Sequence, residues 1–186
     1  MSVCRVAIVG ATGAVGQEFS RVLADRRFPA SEYRLLASAR SVGKTVDWVG
    51  GTQRVEELTS DAFADCQFAL FSAGGSVSRE FAPLAARAGC VVIDNSSAFR
   101  MDPTVPLVVP EVNPEAVRAH NGIIANPNCS TIILNVPLWP FHRVNPARRV
   151  VVTTEALAEM YREMFPRWAE KFVVVHNSFD PLDDAA

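Results

Sequence analysis

The chain is poor in the residues that build metal centres and disulfide frameworks. Its four cysteines (Cys4, Cys66, Cys90 and Cys129) lie far apart with no C-x-x-C pair, which argues against structural zinc and against a secreted disulfide scaffold. The three histidines (His120, His142 and His176) have no ligand spacing, so no metal site is expected. Charge of one sign is also lacking: 18 Lys and Arg face 20 Asp and Glu, for a net charge of −2. Such a balance supplies no basic surface for nucleic acid or an acidic membrane. No apolar run approaches the ~20 residues of a membrane span. The N-terminus, Met1-Ser2-Val3-Cys4-Arg5, enters an apolar stretch without a cleavable signal pattern, so the cytoplasm is the expected compartment. Internal repeats and low-complexity segments are missing as well. What remains is 186 residues, 49% hydrophobic and 20% charged, enough for one full globular domain and part of another.

The order of elements predicts the fold class. Val3–Val9 is a short apolar run of the buried-parallel-strand kind. The glycine-rich segment from Gly10 to Gly16 follows it, and then a helical pattern through Phe19, Val22 and Leu23. Tyr33–Ala37 reads as a second strand, and Val46–Val49 with Gln53–Glu56 as an inserted hairpin. Phe68–Ser72, a helix from about Ser78 to Ala88, and Cys90–Ile93 continue the alternation. Leu107–Val109 and Ile123–Ala125 add strands around a helical turn at Asn113–His120. Pro137 and Pro140 predict a kink or an early end in the helix that starts near Cys129. Beyond it come a strand at Arg149–Thr153, an amphipathic helix at Glu155–Trp168 broken by Pro166, and a strand at Phe172–Val175 before an acidic tail. Alternating strands and helices predict an α/β fold: a Rossmann-like, doubly wound parallel sheet. The expected organisation is a nucleotide-binding domain over 1–128 and a partial α+β domain over 129–186.

Gly10-Ala11-Thr12-Gly13-Ala14-Val15-Gly16 has the strand–turn–helix setting in which a glycine fingerprint binds a dinucleotide. Gly10 would make the tight turn, Gly13 would let a pyrophosphate approach, and Gly16 would allow close helix packing. The plain alternative is a tight turn with no ligand. An NAD site would place an acid at the end of the second strand. Here that strand ends in Ser38-Ala39-Arg40-Ser41, with Lys44 close behind. One cation and two hydroxyls suit a 2′-phosphate dianion, which favours NADP over a merely solvated charge cluster. Ser72-Ala73-Gly74-Gly75 and Asn95-Ser96-Ser97 end successive strands, where ligands gather in open α/β sheets. Arg100 follows, with a planar fork suited to phosphate or carboxylate.

Cys129 stands in Asn126-Pro127-Asn128-Cys129-Ser130-Thr131-Ile132, a turn followed by a helix start. Unpaired N–H groups and the positive end of the helix dipole favour a thiolate over a thiol there. A thiolate attacks carbonyl carbon readily. A small buried hydrophobe that happens to open a helix is the bland alternative.

Taken together, these segments resemble aspartate-semialdehyde dehydrogenase. The resemblance is carried by Gly10–Gly16, Ser38–Ser41, Ser72–Gly75, Ile-Asp-Asn-Ser-Ser-Ala-Phe-Arg-Met from Ile93, Val-Pro-Glu-Val-Asn from Val109 and the Asn126–Ile132 run. It extends almost unbroken from Val6 to about Thr154. The related acyl-glutamyl-phosphate reductases usually place Gly before the cysteine, where this chain has Asn128. The resemblance implies NADPH-dependent conversion of aspartyl phosphate to aspartate semialdehyde and phosphate through an acyl-thioester on Cys129. It further implies that Asn128 stabilises the oxyanion, that Arg100 holds the phosphate, and that Thr12–Val15, Arg40 and Ser41 bind the cofactor. A homodimer and a place in lysine, threonine, methionine and diaminopimelate biosynthesis are implied too.

One family feature is missing. Where the family has a Tyr-Gln-x-x-Ser-Gly-x-Gly loop, Thr154 passes directly to Glu155-Ala156-Leu157. Phe172–Pro181 resembles a later family segment, so the sequence reads as internally shortened, and His176 is not the family's histidine base. The second half of the family pattern, with its carboxylate-binding arginine, that histidine base, a phosphate-binding lysine and much of the dimer interface, finds no match here. The competing expectation is therefore an NADP-binding or assembly module without turnover.

Overall fold

The computed structural model describes residues 4–49, 51–146, 150–152, 158–159, 161–162 and 166–174. They fall in two compact units, Met1–Val136 and Pro137–Ala186. In the first unit the strands are β1 (Arg5–Val9), β2 (Glu32–Ala37), β3 (Thr45–Trp48), β4 (Gly51–Arg54), β5 (Glu56–Glu57), β6 (Phe68–Phe71), β7 (Val91–Asp94) and β8 (Ile123–Ala125). Helices α1 (Ala14–Asp25) and α2 (Gly75–Arg87) cross between strands, and α3 (Cys129–Val144) begins after β8.

Six strands form one parallel sheet in the order β5-β2-β1-β6-β7-β8. The sheet is apolar on both faces because successive side chains alternate. Ala7 and Val9 join a core with Leu36, Phe71 and Val92, against which Val77 and Phe81 of α2 pack. Val6 and Ile8 join the opposite core with Leu35, Trp48 and Val55, against which Phe19 and Leu23 of α1 pack. The two helices therefore cover opposite faces, and the chain runs from β1 outward to β2 on one side before crossing back to β6 on the other. The doubly wound parallel sheet expected from the sequence is thus present, with its switch point at β1. The β3–β4 hairpin pairs antiparallel, Thr45 opposite Arg54 and Trp48 opposite Gly51.

Four boundaries differ from the sequence expectation, each for a local reason. Helix α2 starts at Gly75, because Gly74 takes φ 89° as its N-cap and its carbonyl already accepts the Ser78 N–H. Glu56 belongs not to the hairpin but to β5, which pairs with the end of β2. Leu107–Val109 makes only a bridge, Leu107 to Ala125. There the Asn113 side chain intercepts the backbone, accepting from the Val109 N–H (2.8 Å) and donating to the Leu107 carbonyl (3.0 Å). Helix α3 does not end early: it runs through Pro137 and Pro140 to Val144, each proline deleting a single ladder bond. Asn113–His120 is a 3₁₀ turn, Pro114–Ala119 with both end residues as caps.

In the second unit β9 (Val150–Val152) and β10 (Phe172–Val174) pair in parallel, after a 3₁₀ turn at Pro166–Lys171. Most of the helix expected over 155–168, the ends of the strand expected over 149–153, and the segment from 175 onward lie outside the described residues. Among the described residues no helix is long and apolar enough to cross a membrane, and no group of three or more His, Cys, Asp or Glu could hold a metal ion.

Candidate active site

Four loops leave the sheet at one edge, and backbone hydrogen bonds tie each to the strand beside it. The Gly10 N–H donates to Leu36 O (2.9 Å), Ser72 to Val9 O (2.9 Å), Asn95 to Phe71 O (2.9 Å) and Asn126 to Asp94 O (2.8 Å). This row runs along the carboxyl ends of the parallel strands. It gathers the Gly10, Ser72, Asn95 and Asn126 segments on one side of the molecule's first unit.

The loop after β1 turns at Gly10, where φ is +90° and a Cβ would sit 2.4 Å from Ser72 O. A Cβ on Gly16 would sit 2.3 Å from Gly10 O, so α1 starts in direct contact with the turn. Gly13 is the N-cap, without a side-chain capping bond, and the first turn carries no acid. Gly13, Ala14 and Val15 are exposed and Thr12 half-buried. An uncapped, solvent-facing helix N-terminus of this kind is suited to a pyrophosphate.

After β2, Ser38 caps a 3₁₀ turn over Ala39–Ser41. Arg40 is exposed and forms no ion pair among the described residues. The sequence reading missed one neighbour: Glu57 of β5 is the ladder partner of Ala37. An acid thus lies beside the β2 end on the next strand, although none follows on β2 itself. Only the pairing of a two-residue edge strand reveals it.

Beyond β7, Asp94 is fully buried. Its carboxylate accepts from Ser78 Oγ (2.7 Å), Ser96 N (3.1 Å) and Ser96 Oγ (2.7 Å), and Ser96 Oγ in turn accepts from Ala98 N (3.0 Å). These donors offset the cost of taking a carboxylate out of water. They also tie α2 to the β7 loop. Sequence reasoning passed over Asp94; its only signal was a charged residue closing an apolar strand.

Arg100 is braced by the two loops it bridges. Its Nε donates to Asn126 O (2.9 Å) and Nη2 to Asn95 O (3.1 Å), while Asn126 Nδ2 donates to Asn95 Oδ1 (2.6 Å). Nη1 remains for an anion. Asn128 caps α3: its Oδ1 accepts from Ser130 N (2.9 Å) and lies 3.5 Å from Cys129 Sγ. With Oδ1 committed to the cap, Nδ2 is the Asn128 donor left for an incoming oxygen. Cys129 is exposed as the first residue of α3.

The other thiols differ sharply. Cys66 and Cys90 are buried. Burial pushes both thiols up, Cys90 to about 11, and Cys90 Sγ donates to Cys66 O at 3.1 Å. At pH 8 a thiol of that kind is thiolate in roughly one molecule in a thousand. Iodoacetamide at pH 7–8 is accordingly expected to modify Cys129 at least ~100-fold faster than Cys90. Peptide mapping by mass spectrometry reads the order, and comparable rates in the folded chain would refute it.

The family profile described as "Semialdehyde dehydrogenase, NAD binding domain" matches residues 5–120. The aspartate-semialdehyde dehydrogenase of Synechocystis is 54% identical over 150 residues, covering 81% of this chain and 44% of that protein. Its Aquifex aeolicus counterpart is 56% identical over 153 residues, covering 81% and 45%. The chain thus spans about half the length of the curated relatives it matches. A crystal structure of aspartate semialdehyde dehydrogenase II from Vibrio cholerae, complexed with ASA, superposes with a TM-score of 0.84 at 40% identity, covering 93% of this chain and 68% of that one. The Candida albicans aspartate semialdehyde dehydrogenase solved with NADP gives a TM-score of 0.64 at 30% identity, covering 77% and 48%.

Proposed function

The chain belongs to the semialdehyde dehydrogenase family through its NAD-binding domain, and on that premise we propose that it carries the cofactor site and nucleophile of an NADP-dependent aspartate-semialdehyde dehydrogenase. The observation that carries the reading is the exposed Cys129 opening α3 on the sheet edge that also holds the uncapped N-terminus of α1. Residues 1–128 form the cofactor domain in this reading, and 129–186 belong to the catalytic and dimerisation domain. Similarity to named dehydrogenases favours an enzyme over a binding or assembly module.

The residues present fit the cofactor. The N–H groups of Ala14 and Val15 at the start of α1 would meet the pyrophosphate beside the turn that the Gly13 N–H closes on Gly10 O (3.0 Å). Gly10, Thr12, Gly13 and Gly16 would shape that turn, Ser72 and Gly74 would flank it, and Ser38, Arg40 and Ser41 would meet the 2′-phosphate. The bound dinucleotide supplies or accepts the hydride. In the reductive direction the Cys129 thiolate attacks the acyl-phosphate carbon of aspartyl phosphate. The carbon–oxygen bond to phosphate breaks, phosphate leaves against Arg100 Nη1, and an acyl-thioester remains on Sγ. Asn128 Nδ2 and the Cys129 backbone N–H donate to the oxyanion, the Ser130 N–H being taken by the Asn128 cap; comparable donors contribute roughly 2.7–4 kcal/mol. Reduction releases the aldehyde and returns the thiolate. The same reading places the protein in the cytoplasm, as a homodimer in the whole enzyme, on the route to lysine, threonine, methionine and diaminopimelate.

Aspartate semialdehyde in excess is expected to protect Cys129, and not Cys4, from iodoacetamide; undiminished labelling of Cys129 overturns the substrate assignment. Arg40→Ala is expected to weaken NADPH binding by ~10- to 100-fold, the equivalent of one charge-assisted hydrogen bond, and to leave NADH binding unchanged. Equal affinity of the unmodified chain for the two cofactors, measured by fluorescence titration, would overturn the NADP assignment.

A further inference from the structure

Resting on that reading of the β2 end as the NADP site, we propose that Arg54 is a second reader of the cofactor's 2′-phosphate, delivered by the hairpin rather than by the β2 loop. The loop from Ser38 to Lys44 is compactly turned: Ser41 N donates to Ser38 O (2.8 Å), Val42 N to Ala39 O (3.3 Å) and Lys44 N to Ser41 O (3.2 Å). Two further bonds staple the return strand of the hairpin to its end, Gly43 N to Val55 O (3.0 Å) and Val55 N to Lys44 O (2.8 Å). Arg54 therefore has a fixed backbone position beside the loop.

The neighbouring side chains set its direction. Gln53 Nε2 donates to the Tyr33 carbonyl of β2, and Arg54, next along the strand, is carried to the other side. Its guanidinium lies over Gly43: a Cβ there would be 3.3 Å from Nη2, 3.8 Å from Nε and 4.0 Å from Cζ. The absence of a side chain at Gly43 is what lets the guanidinium rest on the loop. Arg40, Lys44 and Arg54 are all exposed, and none forms an ion pair among the described residues. Glu56 and Glu57, close by in the chain, pair with none of them either. Three cations without an ion-pair partner among the described residues, placed on or against one turn, favour a positive potential there, against which Glu57 beside the β2 end counts. A phosphate dianion neutralises that charge, and a guanidinium presents it with parallel N–H donors. A cofactor lacking the 2′-phosphate gains nothing from Arg54.

The test is titration of the 186-residue chain and its Arg54→Ala and Arg54→Lys variants with NADPH and with NADH. Arg54→Ala is expected to weaken NADPH binding by about five- to tenfold, with NADH affinity unchanged and Arg54→Lys in between. The NADH arm shows at the same time that the fold and the pyrophosphate site are intact. Equal losses for both cofactors would make Arg54 a structural residue and overturn the inference. Unchanged NADPH affinity would overturn it while leaving the NADP reading standing. Equal NADPH and NADH affinity in the unmodified chain would overturn both.

Discussion

Gly10→Ala is expected to cost about 3–5 kcal/mol of folding stability and to abolish cofactor binding with it. Two separate penalties meet at this residue. Its φ of +90° is a region that L side chains occupy only at about 1–3 kcal/mol. The added Cβ would also lie 2.4 Å from Ser72 O and 2.8 Å from Ser72 C, and these are backbone atoms. Ser72 cannot withdraw cheaply, because its N–H is bonded to Val9 O and the preceding residue, Phe71, is locked in the sheet opposite Asp94. Nor can Gly10 move away without losing its bond to Leu36 O. For a chain of this length each kcal/mol lowers Tm by roughly 2–4 °C, so thermal unfolding should shift down by about 6–20 °C. Gly51→Ala is the matched control: among the described residues nothing lies within 4 Å of the added carbon, and its φ is not in the left-handed region. It should change stability by no more than about 0.5 kcal/mol. Similar melting curves for the two variants would show that the contact between the β1 and β6 loops does not constrain the site.

The glycine turn was legible in the sequence because backbone geometry alone demands it. The same holds for the sheet. Val6–Val9 and Phe68–Phe71 are uninterrupted apolar runs, as strands covered on both faces must be, and the alternation with helices then dictates parallel pairing. Cys129 was legible because Pro127, Asn128 and Ser130 mark a helix start by local chemistry, and Asn128 does cap it.

What could not be read depends on residues distant in the chain. Glu56 and Glu57 carry no apolar signal and become a strand only because the end of β2 offers an unpaired edge. Leu107–Val109 has the composition of a strand, yet Asn113 takes its hydrogen bonds four to six residues away. Of the kink or early end expected near Pro137 and Pro140, the early end does not occur, because each proline removes one ladder bond and the neighbouring bonds survive. At the site, the bracing of Arg100 by Asn95 and Asn126 spans separations of 5 and 26 residues. Arg54 reaches the β2 loop through a hairpin whose role no motif announces. Local chemistry is written in the sequence at short range; the charges and carbonyls that complete a binding site arrive by topology.

The 186 residues assayed by themselves are expected to bind NADPH and to alkylate at Cys129, yet to give little or no steady-state NADPH from aspartate semialdehyde and phosphate. On the proposed reading, nucleophile, cap and oxyanion donors all come from residues 126–132, so covalent addition to Cys129 should need nothing further. Hydride transfer is more demanding, since the carbon must be held in near-attack geometry, and such positioning contributes ~7–11 kcal/mol to a rate. By the family resemblance, that positioning comes from a glutamine loop for which this sequence has no counterpart after Thr154, and from an arginine for the substrate carboxylate. A histidine base, whose help is typically worth ~10²–10⁴-fold, likewise has no match in these residues. Arg100, the arginine proposed to hold the phosphate, already has two of its nitrogens bonded to loop carbonyls. On that reading its one unbonded nitrogen serves the phosphate and leaves no second donor for a carboxylate. The measurement is NADPH formation at 340 nm, with Cys129→Ser as the blank. A Cys129-dependent kcat of ~1 s⁻¹ or more, within the usual enzyme range, would show that residues 1–186 position the substrate unaided. Adduct formation without turnover would instead separate the two halves of the chemistry, with the nucleophile in this part of the fold and the geometry for hydride transfer supplied from outside it.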